Sequence, residues 1–244
     1  LGGSVAWEGG KLVYRGADAA LGLELTAQFE GRNKFILVDA SLQDTTGADR
    51  AISLYFSLPL APEGRTWWQD IRTGYAAGSV VESVFALDTT RRWGDTGWVE
   101  NDGFGANGLW SHYCLSSLGG EVGAEGVAGL ALAYPMARPA VARFAYNSST
   151  HQYYVVFELG LSPQARNPGR ADVRFILYHH EPEWGFRAAF DKYVSIYPSF
   201  FQRRVQEDGI WVAHAELGGI PNIEDFYIRF HETGNPHVYD DDDA

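Results

Sequence analysis

Residues of the types that bind sugars are concentrated in the middle of the chain. Flat aromatic faces stack against the C–H faces of sugar rings, and carboxylates accept hydrogen bonds from sugar hydroxyls. These residues predict a carbohydrate-binding surface, and the candidates are Trp67, Trp68, Asp70, Trp93, Trp98, Glu100 and Trp110. The alternative is that the tryptophans close the ends of a β-sandwich, where each ring buries a large area and its N–H needs one partner.

Three acidic residues of the same region have the ligand chemistry that calcium prefers. Asp95, Glu100 and Asp102 could supply carboxylate oxygens. Their spacing does not match an EF-hand loop, and no glycine occupies the position that such a loop requires. Solvated loop acids are the simpler interpretation, and apart from calcium the sequence predicts no cofactor.

The histidines and possible nucleophiles of the sequence give little support for a catalytic site. Neighbouring side chains of a strand point to opposite faces, so His179 and His180 cannot both bind one ion, and His179 with Glu181 is too few ligands for zinc. The chain has no nucleophile elbow, phosphate-binding loop or dinucleotide fingerprint. Glu158, within YYVVFELGL, is the carboxylate we most expect to be partly buried, although we favour a strand residue that faces solvent.

The composition restricts the partners. The net charge of −12 over 244 residues disfavours nucleic acid and anionic membrane surfaces, and leaves neutral sugars, cations and basic partners. No apolar run is long enough to span a bilayer. The single cysteine, Cys114, excludes an internal disulfide and lies among apolar residues, which predicts a buried, inert thiol.

Alternating apolar residues predict strands over the first three quarters of the chain. The period of two is clear at 21–29 and 52–58, and 35–42 is apolar on nearly both faces, so these three strands predict an antiparallel meander. The fold class is mainly β, a large antiparallel β-sandwich. Further strands are predicted at 80–87, 110–116, 127–134, 141–147, 152–161 and 171–179.

The pattern changes to helix at 178–205, YHHEPEWGFRAAFDKYVSIYPSFFQRRV. An acidic start with Pro182 and an apolar face at Phe186, Phe190 and Tyr193 predict one helix, and a second short helix begins at Pro198. The predicted organisation is a β-supersandwich at 1–180, a helical connector at 181–209 and an irregular extension at 210–244. The long irregular segment 88–109 is predicted to be functional or mobile.

Three segments carry a resemblance to a known group of proteins. They are VDASLQDTTGADRAISLYFSLPL with TWWQDI, then GLALAYPMARPAVARFAYNSSTHQYYVVFELGLSP, then WGFRAAFDKYVSIYPSFFQRRVQEDGIWVA with IEDFYIRFHETGN. They resemble the amino-terminal β-domain of large, secreted, poorly characterised glycoside-hydrolase-like proteins. The resemblance implies a galactose-mutarotase-like supersandwich, an extracellular or cell-surface location and a following (β/α) barrel that would hold any catalyst. It identifies no catalytic residue in this chain.

Three hypotheses for function follow from different classes. The first is a non-catalytic, carbohydrate-associated module of an extracellular glycoside-hydrolase-like protein, with a following catalytic domain as its partner. The second is an extracellular structural protein that assembles with copies of itself, through exposed sheet edges or exchange of the strand at 210–213. The third is a mutarotase-like sugar epimerase, which needs a histidine and a glutamate in one pocket.

Overall fold

The computed structural model describes residues 2–72, 74–79, 113–120, 128–204, 209–213, 217–226 and 228–232. The predicted strand at 80–87 and the segment 88–109 lie outside the described residues. So do six of the candidate site residues, namely Trp93, Asp95, Trp98, Glu100, Asp102 and Trp110. Within the described ranges, no group of three or more His, Cys, Asp or Glu side chains could hold a metal ion.

The chain divides into two compact units, Leu1–Tyr197 and Pro198–Ala244. The first unit is built almost entirely of antiparallel strands, as the sequence predicts. Its strands are β1 (Gly2–Glu8), β2 (Lys11–Asp18), β3 (Leu23–Gly31), β4 (Ile36–Asp44), β5 (Arg50–Pro59), β6 (Arg65–Trp68), β7 (Gly74–Ala76), β8 (Leu115–Gly120), β9 (Gly129–Ala133), β10 (Ala142–Asn147), β11 (Gln152–Leu161) and β12 (Arg170–His180).

The described strands of the first unit form two sheets. The large sheet has nine strands in the order β1-β2-β3-β4-β12-β9-β8-β6-β7, and the small sheet has three in the order β10-β11-β5. We call the face of the large sheet that looks toward the small sheet its inner face, and the opposite one its outer face. The mainly β, antiparallel sandwich is therefore confirmed.

The path of β5 differs from the predicted meander. β3 and β4 are neighbours, with Phe29 opposite Val38, but β5 crosses to the small sheet and pairs with β11 from Arg50–Leu161 to Pro59–Gln152. The prediction assumed that consecutive strands lie side by side, which is the common arrangement. Here β5 lies over β3 and β4, because Ile52, Leu54 and Phe56 pack against the inner face.

The first hairpin was not predicted. β1 and β2 pair from Gly2–Ala17 to Glu8–Lys11 across a two-residue turn. Gly9 and Gly10 both have positive φ, 56° and 80°, the geometry that fits the twist of a hairpin and favours glycine. Every residue of β1 is exposed, so the strand lacks the half-buried pattern that identifies strands in a sequence.

The core lies between the inner face and the small sheet. Its largest fully buried side chains include Trp67, Phe144, Tyr146, Tyr153 and Phe157. The Tyr153 hydroxyl donates to the carbonyl of Ser116 at 2.8 Å and accepts from the Leu132 amide at 3.1 Å. This buried tyrosine therefore joins the two sheets by hydrogen bonds as well as by packing.

One α-helix, α1 (Gly185–Ile196), covers the outer face at one end. The Tyr178 hydroxyl, on the outer face, donates to the carbonyl of Ala189 at 2.9 Å. The Tyr193 hydroxyl donates to the carbonyl of Tyr134 and accepts from the Met136 amide, each at 3.0 Å. The predicted helix is thus confirmed, and among the described residues no helix covers the other end of the outer face.

The second unit begins at Pro198, where the sequence predicts a second short helix. That prediction is wrong. Pro198–Phe200 forms a single 3-10 turn, and 201–204 is not helical. A short helix needs an apolar face with partners to offset its nucleation. In this unit, β13 (Ile210–Ala213) pairs in parallel with β14 (Ile228–Glu232), so the predicted strand at 210–213 is confirmed. No helix in the described part of the chain is long and apolar enough to cross a membrane.

Candidate functional site

The structure places Trp67 in the core. Its side chain is fully buried and stacks on Tyr75, with ring centroids 5.9 Å apart. No face of this indole is open to a sugar, because both faces contact protein in the sandwich. Trp67 is therefore corrected from a sugar-contact candidate to a core residue, as the alternative interpretation of the tryptophans predicts.

Trp68 follows Trp67 on β6 and points to the outer face. It is half-buried, and its indole lies against Gly74 and Gly185. Asp70, in the turn that follows, accepts the Arg72 amide at 2.6 Å. Sugar contact at Trp68 and Asp70, and at the candidates outside the described ranges, stays a prediction.

The uncovered end of the outer face carries side chains that form a second candidate site. The strand registers align them in two rows across β3, β4 and β12. We call this surface the polar face. Its rows are Thr26–Ser41–Asp172 and Gln28–Asp39–Arg174. All of these residues except Arg174 line a shallow cavity of about 380 Å³, together with Arg138 and Arg170.

Two ion pairs hold these groups in place, one between β12 and β4 and one within β12. Arg174 donates twice to Asp39, with its Nη2 2.9 Å from Oδ2. Arg170 donates twice to Asp172, at 3.0 Å from Nε and 2.9 Å from Nη2. Because each guanidinium is fixed by two bonds to one carboxylate, its orientation on the sheet is defined.

Hydrogen bonds and neighbouring charges shift the pKa values of two groups on the polar face. Burial alone would raise the pKa of Asp172, but hydrogen bonds from Arg170 and Ser41 and the charges of Arg170 and Arg138 lower that pKa overall. The hydrogen bond to Asp39 raises the pKa of Arg174. Asp172 is therefore ionised and Arg174 protonated near neutral pH, so the surface presents a fixed acceptor and a fixed donor.

Tyr197 lies at the margin of the polar face. Its ring centroid is 6.3 Å from that of Phe35 and 5.0 Å from that of Tyr193. Burial raises the pKa of Tyr197 to about 12, although the charge of Arg174 acts in the opposite direction. The polar face thus has a protonated, half-buried phenol next to one of its arginines.

A serine–histidine pair lies under the connection to α1. Ser117 Oγ is 2.9 Å from His180 Nε2, and His180 Nδ1 is 2.8 Å from the carbonyl of Glu181. Ser117 is fully buried, so no substrate can reach its hydroxyl. Burial lowers the pKa of His180. The pair therefore satisfies buried polar groups and does not form a nucleophilic centre.

Two further candidates have structural partners. Glu158 is half-buried and accepts from Ser53 Oγ at 2.6 Å and from Arg143 Nη2 at 3.2 Å. Cys114 is half-buried, and burial raises the pKa of its thiol. The predicted inert thiol agrees with this environment, and Glu158 is an ion-pair partner of the nearly buried Arg143.

The sequence contains a pattern that indicates the polar face, the alternation of polar and apolar residues. In β4 the polar residues Asp39, Ser41 and Gln43 alternate with apolar ones, and β12 repeats this with Asp172 and Arg174. Alternation identifies the solvent-facing side of each strand. It does not show that β4 and β12, far apart in the chain, are neighbours with these residues in register.

No protein-family model and no curated protein matches the sequence. Several solved structures resemble the chain, among them the following three. A galactose mutarotase related enzyme from Lactobacillus acidophilus has 10% identity and a TM-score of 0.37, over 75% of this chain and 72% of that one. A galactose mutarotase-like protein from Lactobacillus casei has 12% identity and a TM-score of 0.36, over 72% of each.

The third structure is a family 36 α-galactosidase from Geobacillus stearothermophilus in complex with 1-deoxygalactonojirimycin. It has 15% identity and a TM-score of 0.41, and the match covers 83% of this chain but 28% of the longer α-galactosidase. At these identities and scores the similarity is one of general architecture. Nothing about function follows from it.

Proposed function

We propose that this chain is a non-catalytic, carbohydrate-associated β-sandwich module of an extracellular glycoside-hydrolase-like protein, and that it contacts sugar through the polar face. One observation carries the proposal. Hydrogen-bonding side chains from three strands lie in register on an outer sheet surface, in the rows Thr26–Ser41–Asp172 and Gln28–Asp39–Arg174.

The chemistry of these groups suits hydroxylated ligands. A sugar hydroxyl both donates and accepts, so it can pair with a carboxylate and a guanidinium at the same time. The Asp39–Arg174 and Asp172–Arg170 pairs present both kinds of group at fixed positions. Such fixed groups reduce the side-chain ordering that binding requires.

Calorimetric titration against a panel of neutral and acidic oligosaccharides tests the proposal. Asp39→Asn keeps the size of the side chain but removes the charge that fixes Arg174. We expect it to weaken sugar binding by about tenfold, which corresponds to about 1.4 kcal/mol. Asp49→Asn removes an exposed carboxylate in the turn before β5 and is the matched control, with affinity unchanged.

The outcome also separates the polar face from the tryptophan candidates. If Asp39→Asn binds sugar as tightly as the unmodified protein, and Trp68→Ala or Trp93→Ala binds it more weakly, the sugar site lies in the aromatic region and not on the polar face. Absence of binding across the whole panel would remove the carbohydrate function itself.

A second candidate function is self-assembly, and the edge strand β1 favours it. Trp7 and Val5 are 76% and 57% exposed on this strand, and an exposed apolar edge is a template for pairing with another chain. Light scattering over a concentration series decides this alternative, and a strict monomer contradicts it. The mutarotase-like alternative has less support, because the described residues of the polar face include no histidine.

A further inference from the structure

An apolar cleft lies between the two sheets, separate from the polar face. It has a volume of about 640 Å³ and lies between β5 and the inner face of β2, β3 and β4. Its walls are the aliphatic and aromatic side chains of both sheets, and they include Leu23, Leu25, Phe29, Leu54 and Phe175. The size and the apolar lining are those of a ligand-binding cleft. The sugar contact proposed for the polar face does not involve this cleft.

The cleft runs along the free edge of β5. Six consecutive residues of this strand, 51–56, line it. Consecutive side chains of a strand point to opposite faces, so a cavity that touches all of them follows the edge of the strand and reaches its backbone. Among the described strands, β5 pairs with β11 alone. The second row of its N–H and C=O groups therefore faces the cleft.

This edge has few of the features that normally prevent strand addition. Natural edges are short, bulged, or protected by lysine or proline. β5 is ten residues long, its ten pairs with β11 show no register shift, and its one proline is the last residue, Pro59. Arg50 links the two walls at the start of the strand, where its Nη2 donates to the carbonyl of Leu21 at 2.7 Å.

Charge and hydrogen bonding define the occupant. A lipid or another apolar small molecule would leave the backbone groups of β5 unpaired, whereas an extended peptide pairs them. Asp18 is the one charged residue among the described lining, and the chain as a whole carries −12. In this cleft, charge therefore favours a basic partner over an acidic second copy.

We propose that the cleft receives an extended segment of a partner protein, apolar at alternate residues and basic at its ends, which adds to the small sheet as a fourth strand beside β5. Its apolar side chains pack on Leu25 and Phe29, and its main chain pairs with β5.

A peptide probe tests the main-chain part of the proposal. The probe is a nine-residue peptide of alternating valine and threonine with lysine at each end, and its binding to the full chain is followed by fluorescence anisotropy. In an antiparallel or parallel pair only alternate residues direct their N–H groups at one neighbour. Of two probes, N-methylated on the valine or on the threonine amides, we expect one to bind at least tenfold more weakly and the other to bind as before.

Protein variants locate the site. Leu25→Arg places a charge in the wall of the cleft, and we expect at least a tenfold loss of affinity. Ser149→Arg, at an exposed position in the turn between β10 and β11 and outside both the cleft and the polar face, adds the same charge and is the matched control. If thermal unfolding shows that Leu25→Arg does not fold, Ala51→Arg, at an exposed position of the cleft edge, replaces it with an expected loss of at least fivefold.

Three outcomes overturn the proposal. The first is no binding of the unmodified probe at millimolar concentration. The second is equal binding of both methylated probes, because that shows apolar contact without strand pairing. The third is a dimer of the chain that Leu25→Arg dissociates, because the occupant is then a second copy.

Discussion

The charged pairs of the polar face act through position more than through stability. Arg174 and Asp39 are each 35% exposed, and Arg170 and Asp172 are more exposed still. Ion pairs in such surroundings contribute little to stability, about 0–1 kcal/mol. Their consequence is geometric, because two bonds to each guanidinium fix where a ligand meets donors and acceptors.

His180 predicts a pH dependence of stability. Burial lowers the pKa of its imidazole in the folded protein below the ordinary value of 6.5. The unfolded chain therefore takes up a proton that the folded chain does not, and stability decreases as the pH falls below 6.5 through the lowered pKa. We expect the urea midpoint to fall between pH 7.5 and 5, and to fall less in His180→Gln.

A range ending at pH 5 keeps this measurement apart from the carboxylates. Asp172 has a lowered pKa, so its contribution is lost at more acidic values. His151→Gln changes an exposed histidine in the turn between β10 and β11, away from His180, and is the control. Identical pH profiles for His180→Gln and the unmodified protein would show that the buried imidazole does not titrate with unfolding.

At the residue level, sequence patterns indicate which side chains share a face but not which face is inside. Trp67 and Trp68 are adjacent, so they point to opposite faces of β6. One is fully buried in the sandwich and the other lies against Gly185. The identity of the covered face depends on where α1 and the small sheet lie, and the local sequence does not contain that information.

Among the elements, the connection from β12 to α1 has a strict backbone requirement. Gly185 ends the 3-10 turn Pro182–Trp184 with φ 49° and ψ −124°. Non-glycine residues are strained in this region, and a side chain here would overlap the Trp68 indole. Gly185→Ala is expected to destabilise the protein by about 2–4 kcal/mol, from a combination of backbone strain and steric overlap.

Denaturant unfolding measures this effect, and Gly160→Ala is the matched control. Gly160 lies in β11, and an added methyl group would meet no atom within 4 Å. Its substitution is expected to change the free energy of unfolding by less than about 0.5 kcal/mol. A Gly185→Ala protein as stable as the Gly160→Ala protein would mean that the connection adapts to a side chain.

Elements with strong local patterns are predicted well, and those defined by distant partners are not. β11 has the bounds predicted from its apolar run, and α1 lies where its apolar face indicates. β6 and β7 are short and irregular in pattern, and neither was predicted. The sheet to which β5 belongs depends on β11, so no property of 50–59 alone reveals it.

At the scale of the whole molecule, the core belongs to one unit. The clusters of buried apolar residues in the described ranges draw all their members from Leu1–Tyr197. We therefore expect a chain that ends at Tyr197 to unfold cooperatively, with a free energy of unfolding within about 1 kcal/mol of that of the full chain. Thermal unfolding followed by near-ultraviolet circular dichroism measures this, and loss of the cooperative transition would contradict it.

The sequence predicts the overall fold class but not the order of the strands in the two sheets. Strand after strand with turns between predicts an antiparallel sandwich. The nine-stranded order places β4 next to β12 and β12 next to β9. The polar face depends on the first of these neighbours, since Asp39 and Arg174 meet only when β4 and β12 pair.

The crossing of β5 has a consequence for biosynthesis. In the ladder between β5 and β11, Arg50 pairs with Leu161 and Pro59 pairs with Gln152. β5 therefore leaves the ribosome long before β11, the strand that completes this ladder. At about 5–20 residues per second this interval lasts on the order of 5–20 seconds. Throughout that time an apolar strand with both edges unpaired is exposed on the nascent chain. Yield in a cell should therefore respond to translation speed and to chaperones that bind extended apolar segments.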